Sequence, residues 1–91
     1  LIALTATNHY TEVTTSAGTT RLLLRLSDAI AEAAPTPGLR IHRSYWVATD
    51  QIIAARREGP RAIVTLTDGR DYPVSRSHLS ALEQTGLLPP I

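Results

Sequence analysis

Along most of this chain the apolar residues come in short runs or alternate with polar ones, the pattern of β-strands, and only two stretches depart from it. Residues 1–6 are a short apolar run and read as a strand, which the polar Thr7-Asn8-His9 breaks. Residues 10–15, rich in threonine with Tyr10 and Val13, form a second strand, and 16–19 a turn. Residues 20–26 alternate: Leu22, Leu24 and Leu26 fall on one side and Arg21, Leu23 and Arg25 on the other, which predicts a half-buried strand. Residues 39–47 are β-prone throughout and run into a turn at Ala48-Thr49-Asp50. Residues 52–58 and 62–67 are strands joined through Gly59-Pro60. Asp68-Gly69 predicts a hairpin closed by a type I′ turn, whose two central residues both need positive φ, and residues 70–74 return. Pro73 within that return predicts an edge strand or a bulge, because proline has no N–H to give to a ladder.

The two departures are helical. Ser27 reads as an N-cap and Asp28 lies in the first turn, where a carboxylate suits the helix dipole. The helix covers residues 28–34 with Ile30 as its anchor, and Pro35-Thr36-Pro37-Gly38 ends it. Ser75 is placed as the N-cap of a final helix of about ten residues, stopped by Gly86, after which Leu87-Leu88-Pro89-Pro90 exits. The sum is a mainly β fold of about seven short strands paired as sequential hairpins, hence antiparallel packed sheets, with a short middle helix and a C-terminal helix.

The 91 residues are expected to form one domain, 1–91, and the lack of any methionine suggests a piece of a longer protein. Without cysteine there are no disulfides and no thiolate metal sites. His9, His42 and His78 are widely spaced and form no paired ligand motif, so neither metal nor cofactor is expected. No nucleophile elbow, glycine-rich phosphate loop or suitable carboxylate pair appears, which argues against an enzyme and a small-molecule substrate. No apolar run approaches the ~20 residues that span a bilayer, so this domain is not expected to touch a membrane.

Charge changes the picture by its placement. The net charge is only +1, which excludes a polycationic arm. All nine basic residues are arginine and sit in or beside predicted strands, whereas the helical segments carry Asp28, Glu32 and Glu83. A nearly neutral total can therefore hold a basic face. Two segments, His42-Arg43-Ser44-Tyr45-Trp46-Val47 and Asp68-Gly69-Arg70-Asp71-Tyr72-Pro73-Val74-Ser75-Arg76, each put an arginine where a β-segment runs into a loop or helix. Arginine's planar fork fits O6 and N7 of guanine, which points to a DNA reader. The plainer alternatives are ion pairs, Arg76 with Asp71 or Glu83 and Arg43 with Asp50 or Glu58. His9 stands at a polar loop tip, and His42 reads as a packed histidine shaping the segment that holds Arg43. Trp46 reads as core, with Tyr45 on the opposite face, and Tyr10 and Tyr72 as half-buried.

The order and spacing of several blocks resemble the LytTR (LytR/AlgR-type) DNA-binding domain of bacterial transcriptional regulators over nearly the whole chain. They are Leu1-Ile2-Ala3-Leu4 with the His9-Tyr10 loop, Leu26-Ser27-Asp28-Ala29-Ile30, the His42–Val47 block, Asp68-Gly69-Arg70, Pro73-Val74-Ser75-Arg76 and Gly86-Leu87-Leu88. The resemblance implies an elongated fold of packed antiparallel sheets whose loops enter successive major grooves of bent DNA. It implies base contacts from His9, Arg43 and Arg76, with Asn8, Ser44, Arg70, Ser75 and Ser77 supporting them or touching the backbone. Arg21, Arg25, Arg40, Arg56, Arg57 and Arg61 complete the pool for phosphate contacts. The implied partner is double-stranded DNA, as paired repeats bound by a dimer. The implied setting is the cytoplasm, as part of a response regulator whose parent chain can be membrane-anchored. Two departures stand out: Ala48 where many members have asparagine, and Ser77-His78 where many carry a basic residue. The second departure and the small net charge favour the rival reading, a β-rich module that binds protein or ligand and no DNA.

Overall fold

A computed structural model describes residues 1–88. Strands β1 (Ala3–Ala6), β2 (Thr11–Thr15), β3 (Gly18–Leu22), β4 (Gly38–His42) and β5 (Tyr45–Ala48) form one sheet in the order β3-β2-β1-β5-β4. Strands β6 (Ile52–Glu58), β7 (Arg61–Leu66) and β8 (Asp71–Val74) form a second sheet in sequential order, and every pairing is antiparallel. Helices α1 (Leu26–Glu32) and α2 (Leu79–Gln84) complete the fold, which measures 39 × 24 × 22 Å and so is elongated.

Alternation on the two central strands builds two cores. Ala3 opposes Val47 and turns to one face, where Ile41, Val64, Leu66, Val74 and Leu82 join them. Leu4 opposes Trp46 and turns to the other, against Leu26 and Ala29 of α1. The five-stranded sheet is thus covered on one side by the small sheet and α2, and on the other by α1. Burial on both faces explains why β1 reads as a continuous apolar run. At the outer margin β3 escapes both covers, and all five of its residues are exposed.

Several expectations need correction. The β-prone stretch 39–47 is two strands with a tight turn at Arg43-Ser44, so the described residues form eight strands, with a register shift between Arg40 and His42. The strand expected over 20–26 stops at Leu22, and Leu26 begins α1 as a buried residue. Arg25, extended at φ −71° and ψ 153°, takes the cap position in place of Ser27. Leu26 and Ala29, three apart on one helical face, bury together against Leu4 and Trp46, and that packing outweighs the capping preference of a serine.

In the Asp68-Gly69 hairpin only Gly69 has positive φ (82°). Its N–H donates to the Leu66 carbonyl (2.9 Å), and the Leu66 N–H to that of Arg70 (3.0 Å), leaving three loop residues with the glycine last. Pro73 lies on the edge strand β8, as expected. The final helix is a 3₁₀ turn at Arg76–His78 followed by α2, and Gly86 (φ 76°) stops it. Trp46 is core and Tyr72 is buried, but Tyr10 is 43% exposed because it precedes β2. Leu88 packs into the larger core, while Pro89 and Pro90 of the expected exit lie outside the described residues.

Candidate nucleic-acid interface

Strand register gathers three loops at one end of the molecule. The Ala6 N–H donates to the Ser44 carbonyl (2.7 Å), so the β1–β2 loop and the β4–β5 turn stand side by side. The Ser75 N–H donates to the Ile41 carbonyl (2.9 Å), which seats the start of the last helical segment beside the end of β4. His9, Arg43 and Arg76 all reach solvent there.

Each loop is held from within. Thr7 closes the first, its N–H and hydroxyl both donating to the Tyr10 carbonyl (2.9 and 3.2 Å), and Asn8 and His9 form the exposed tip. In the β4–β5 turn the Arg40 guanidinium donates to the carbonyls of His42 (3.4 Å) and Arg43 (2.8 Å). The His42 Nδ1 accepts from the Ser44 N–H (3.1 Å), and its ring packs on Tyr45, which meets Tyr72 edge-on. Burial, and then the charges of Arg43, His78 and Arg61, hold the His42 imidazole below its ordinary pKa, in keeping with an Nδ1 that accepts. His42 therefore shapes the Arg43 turn as expected. In the third segment Ser75 stands at the N-cap position of the 3₁₀ turn, as expected, but its side chain makes no capping bond: the hydroxyl lies 2.7 Å from His78 Nδ1 and 3.2 Å from the Ser77 hydroxyl. Local side chains compete here for the capping group.

The expected ion-pair alternatives do not form. Asp71 pairs with Arg56 (3.2 Å), Glu83 with Arg57 (3.0 Å), Glu58 with Arg56 (3.6 Å) and Glu12 with Arg21 (3.6 Å). Among the described residues Arg43 and Arg76 pair with no carboxylate. Two surface grooves open at this end. One, of about 360 Å³, joins Asn8, His9 and Tyr10 to Arg25. The other, of about 350 Å³, joins His42 and Arg61 to Ser75, Arg76 and Ser77. Neither is lined by a carboxylate, whereas the grooves elsewhere contain Glu32, or Glu12 and Asp71. Such an end attracts anions and offers them donors.

Arg70 lies in neither of these grooves: it precedes β8 while Arg76 follows it, and it lines a different groove with Thr5, Glu12, Tyr45 and Tyr72. Ala48 is fully buried ahead of a 3₁₀ turn at Thr49–Gln51, so the turn stands without an asparagine. Sequence reasoning missed the inward clamp of Arg40, and it missed Arg25 and Arg61 as neighbours of His9 and Arg76. Arg61 had a usable signal, since the Gly59-Pro60 turn sets it at the start of β7, beside the end of β8.

A family model described as the LytTr DNA-binding domain matches residues 1–86. Among solved structures, a LytTr DNA-binding domain from Bacillus cereus is similar at a TM-score of 0.79 and 22% identity, covering 91% of this chain and 77% of that one. At that identity the likeness concerns the fold. No curated protein matches the chain.

Proposed function

The chain belongs to the LytTr DNA-binding domain family, and from that premise we propose that it reads double-stranded DNA sequence-specifically as the output domain of a bacterial transcriptional regulator. One observation carries the reading: three separately held loops converge on an end whose grooves have no carboxylate lining and whose Arg43 and Arg76 pair with none. Buried or paired arginines read nothing. Exposed ones on braced turns are preorganised to fork onto guanine.

In this proposal the loops of His9, Arg43 and Arg76 enter successive major grooves and contact bases. Asn8, Ser44, Ser75 and Ser77 hold phosphates and set the register. Arg70, at the other end of β8, is left out of the set. The target is a pair of repeats occupied by two copies, and the setting is the cytoplasm. The domain itself performs no catalysis.

The test is selection from random double-stranded oligonucleotides, followed by titration of the enriched pool against wild type and the Arg43→Ala/Arg76→Ala double variant. Enrichment of a motif that the double variant no longer prefers supports the reading. No enrichment at low salt overturns it in favour of a β-rich module that binds protein or ligand.

A further inference from the structure

Nine arginines divide by what holds them. Arg21, Arg56 and Arg57 are in ion pairs with Glu12, with Asp71 and Glu58, and with Glu83. Arg40 is folded inward on two carbonyls, and Arg70 stands at the other end of β8. Arg43 and Arg76 are the base readers proposed above. Arg25 and Arg61 remain. Both are exposed, and neither side chain makes a hydrogen bond or ion pair among the described residues. Each lines one of the two grooves free of carboxylates, and they do so at opposite margins: Arg25 beside the His9 loop, Arg61 beside Arg76.

We propose that Arg25 and Arg61 grip backbone phosphodiesters at the two margins of the DNA-contacting end, flanking the loops that read bases. The inference rests on the DNA-binding reading and extends it to residues with no base-reading role. Their anchoring supports it. The Arg25 segment is pinned on both sides: the fully buried Thr11 donates its hydroxyl to the Leu24 carbonyl (2.8 Å), and the Ala29 N–H donates to the Arg25 carbonyl (2.9 Å). Arg25 is thereby set at the groove wall, behind the loop tip of Asn8 and His9. Arg61 begins β7 and lines its groove together with Ser75 and Ser77. A guanidinium with hydroxyl donors suits the oxygens of a phosphodiester. A loop inserted in a groove has phosphates on either side of it, so residues at the margins meet backbone while the tips meet bases.

The experiment measures binding of the whole chain to the selected duplex and to a scrambled duplex across a salt series. Arg25→Ala and Arg61→Ala are each expected to reduce the slope of log K against log salt by about 0.9, and both together by about 1.8. Affinity should fall by the same factor on both duplexes, leaving the preference ratio unchanged. Arg25→Lys and Arg61→Lys, which keep the charge, retain the slope, and Arg21→Ala, whose partner is Glu12, leaves it unaltered. Unchanged thermal midpoints show that the variants are folded. Wild-type slopes in both alanine variants overturn the inference and leave the DNA-binding reading standing, as does a loss confined to the selected duplex. A wild-type chain that binds neither duplex at low salt overturns both.

Discussion

Arg40 holds Arg43 in place: the Arg40 guanidinium donates to the main-chain carbonyl of Arg43 at 2.8 Å and to that of His42 at 3.4 Å. One arginine is spent on the shape of the turn so that another can point outward. Arg40→Ala removes a charge-assisted clamp without removing any proposed DNA contact. Its expected effect is a loss of preference for the selected sequence over a scrambled one, by about 1 kcal/mol or more, while non-specific binding changes little. Paired titrations on the two duplexes check this. A variant that keeps the wild-type preference would show that the turn holds its shape without the clamp.

Arg43→Ala and Arg76→Ala act directly. Each should cost ~1–3 kcal/mol on the selected duplex and less on scrambled DNA, because a base contact is lost and phosphate contacts remain. Re-selection with each variant should relax different base positions, since the two residues stand on different loops. Relaxation at the same position in both would contradict their placement in separate parts of the site.

Much of this arrangement is legible in the residues. The apolar run of residues 1–6 and the β-prone stretch 39–47 announce β1 and β5, and the DNA resemblance singles out His9, Arg43 and Arg76. The Arg43-Ser44 turn is not legible, because it lacks the glycine, asparagine or proline that marks most turns and is held instead by the side chains of Arg40 and His42. The start of α1 is misread because burial of Leu26 against Trp46, some twenty residues on, decides it. Arg25 joins the site because β3 folds back on β2, with Thr11 opposite Leu22, and because the Thr11 hydroxyl holds the Leu24 carbonyl, and no pattern around Arg25 itself carries that information.

Gly38 offers a test of the core beneath the site. A Cβ added there would collide with the Trp46 indole and would lie 2.6 Å from the Val47 carbonyl oxygen. Trp46 is only 4% exposed and wedged against Leu4 and Ala48, so it has little room to retreat. Gly38→Ala should therefore destabilise the fold by ~1–3 kcal/mol, through overpacking. Denaturant unfolding would show a lowered midpoint at unchanged slope. A wild-type midpoint would mean that the indole shifts freely.

The titration of His42 has a predictable sign. Its imidazole is held below its ordinary value of 6.5 by burial and then by Arg43, His78 and Arg61. The unfolded chain therefore takes up the proton first as pH falls. The contribution to stability is complete above about pH 6.5 and is lost as pH falls from there through the folded-state value. Protonation also removes the lone pair that accepts the Ser44 N–H, and it places a cation among three basic side chains. Asp71 is shifted down as well, by its hydrogen bonds to Thr65 and Arg56. Its loss of stability falls below its ordinary value of 3.8, well separated from the histidine window. His42→Asn keeps an acceptor and cannot charge. Between pH 7 and 5 the wild type should lose stability more steeply than this variant, measured by chemical unfolding at each pH. Parallel curves for the two proteins would show that His42 does not carry the acid sensitivity in that window.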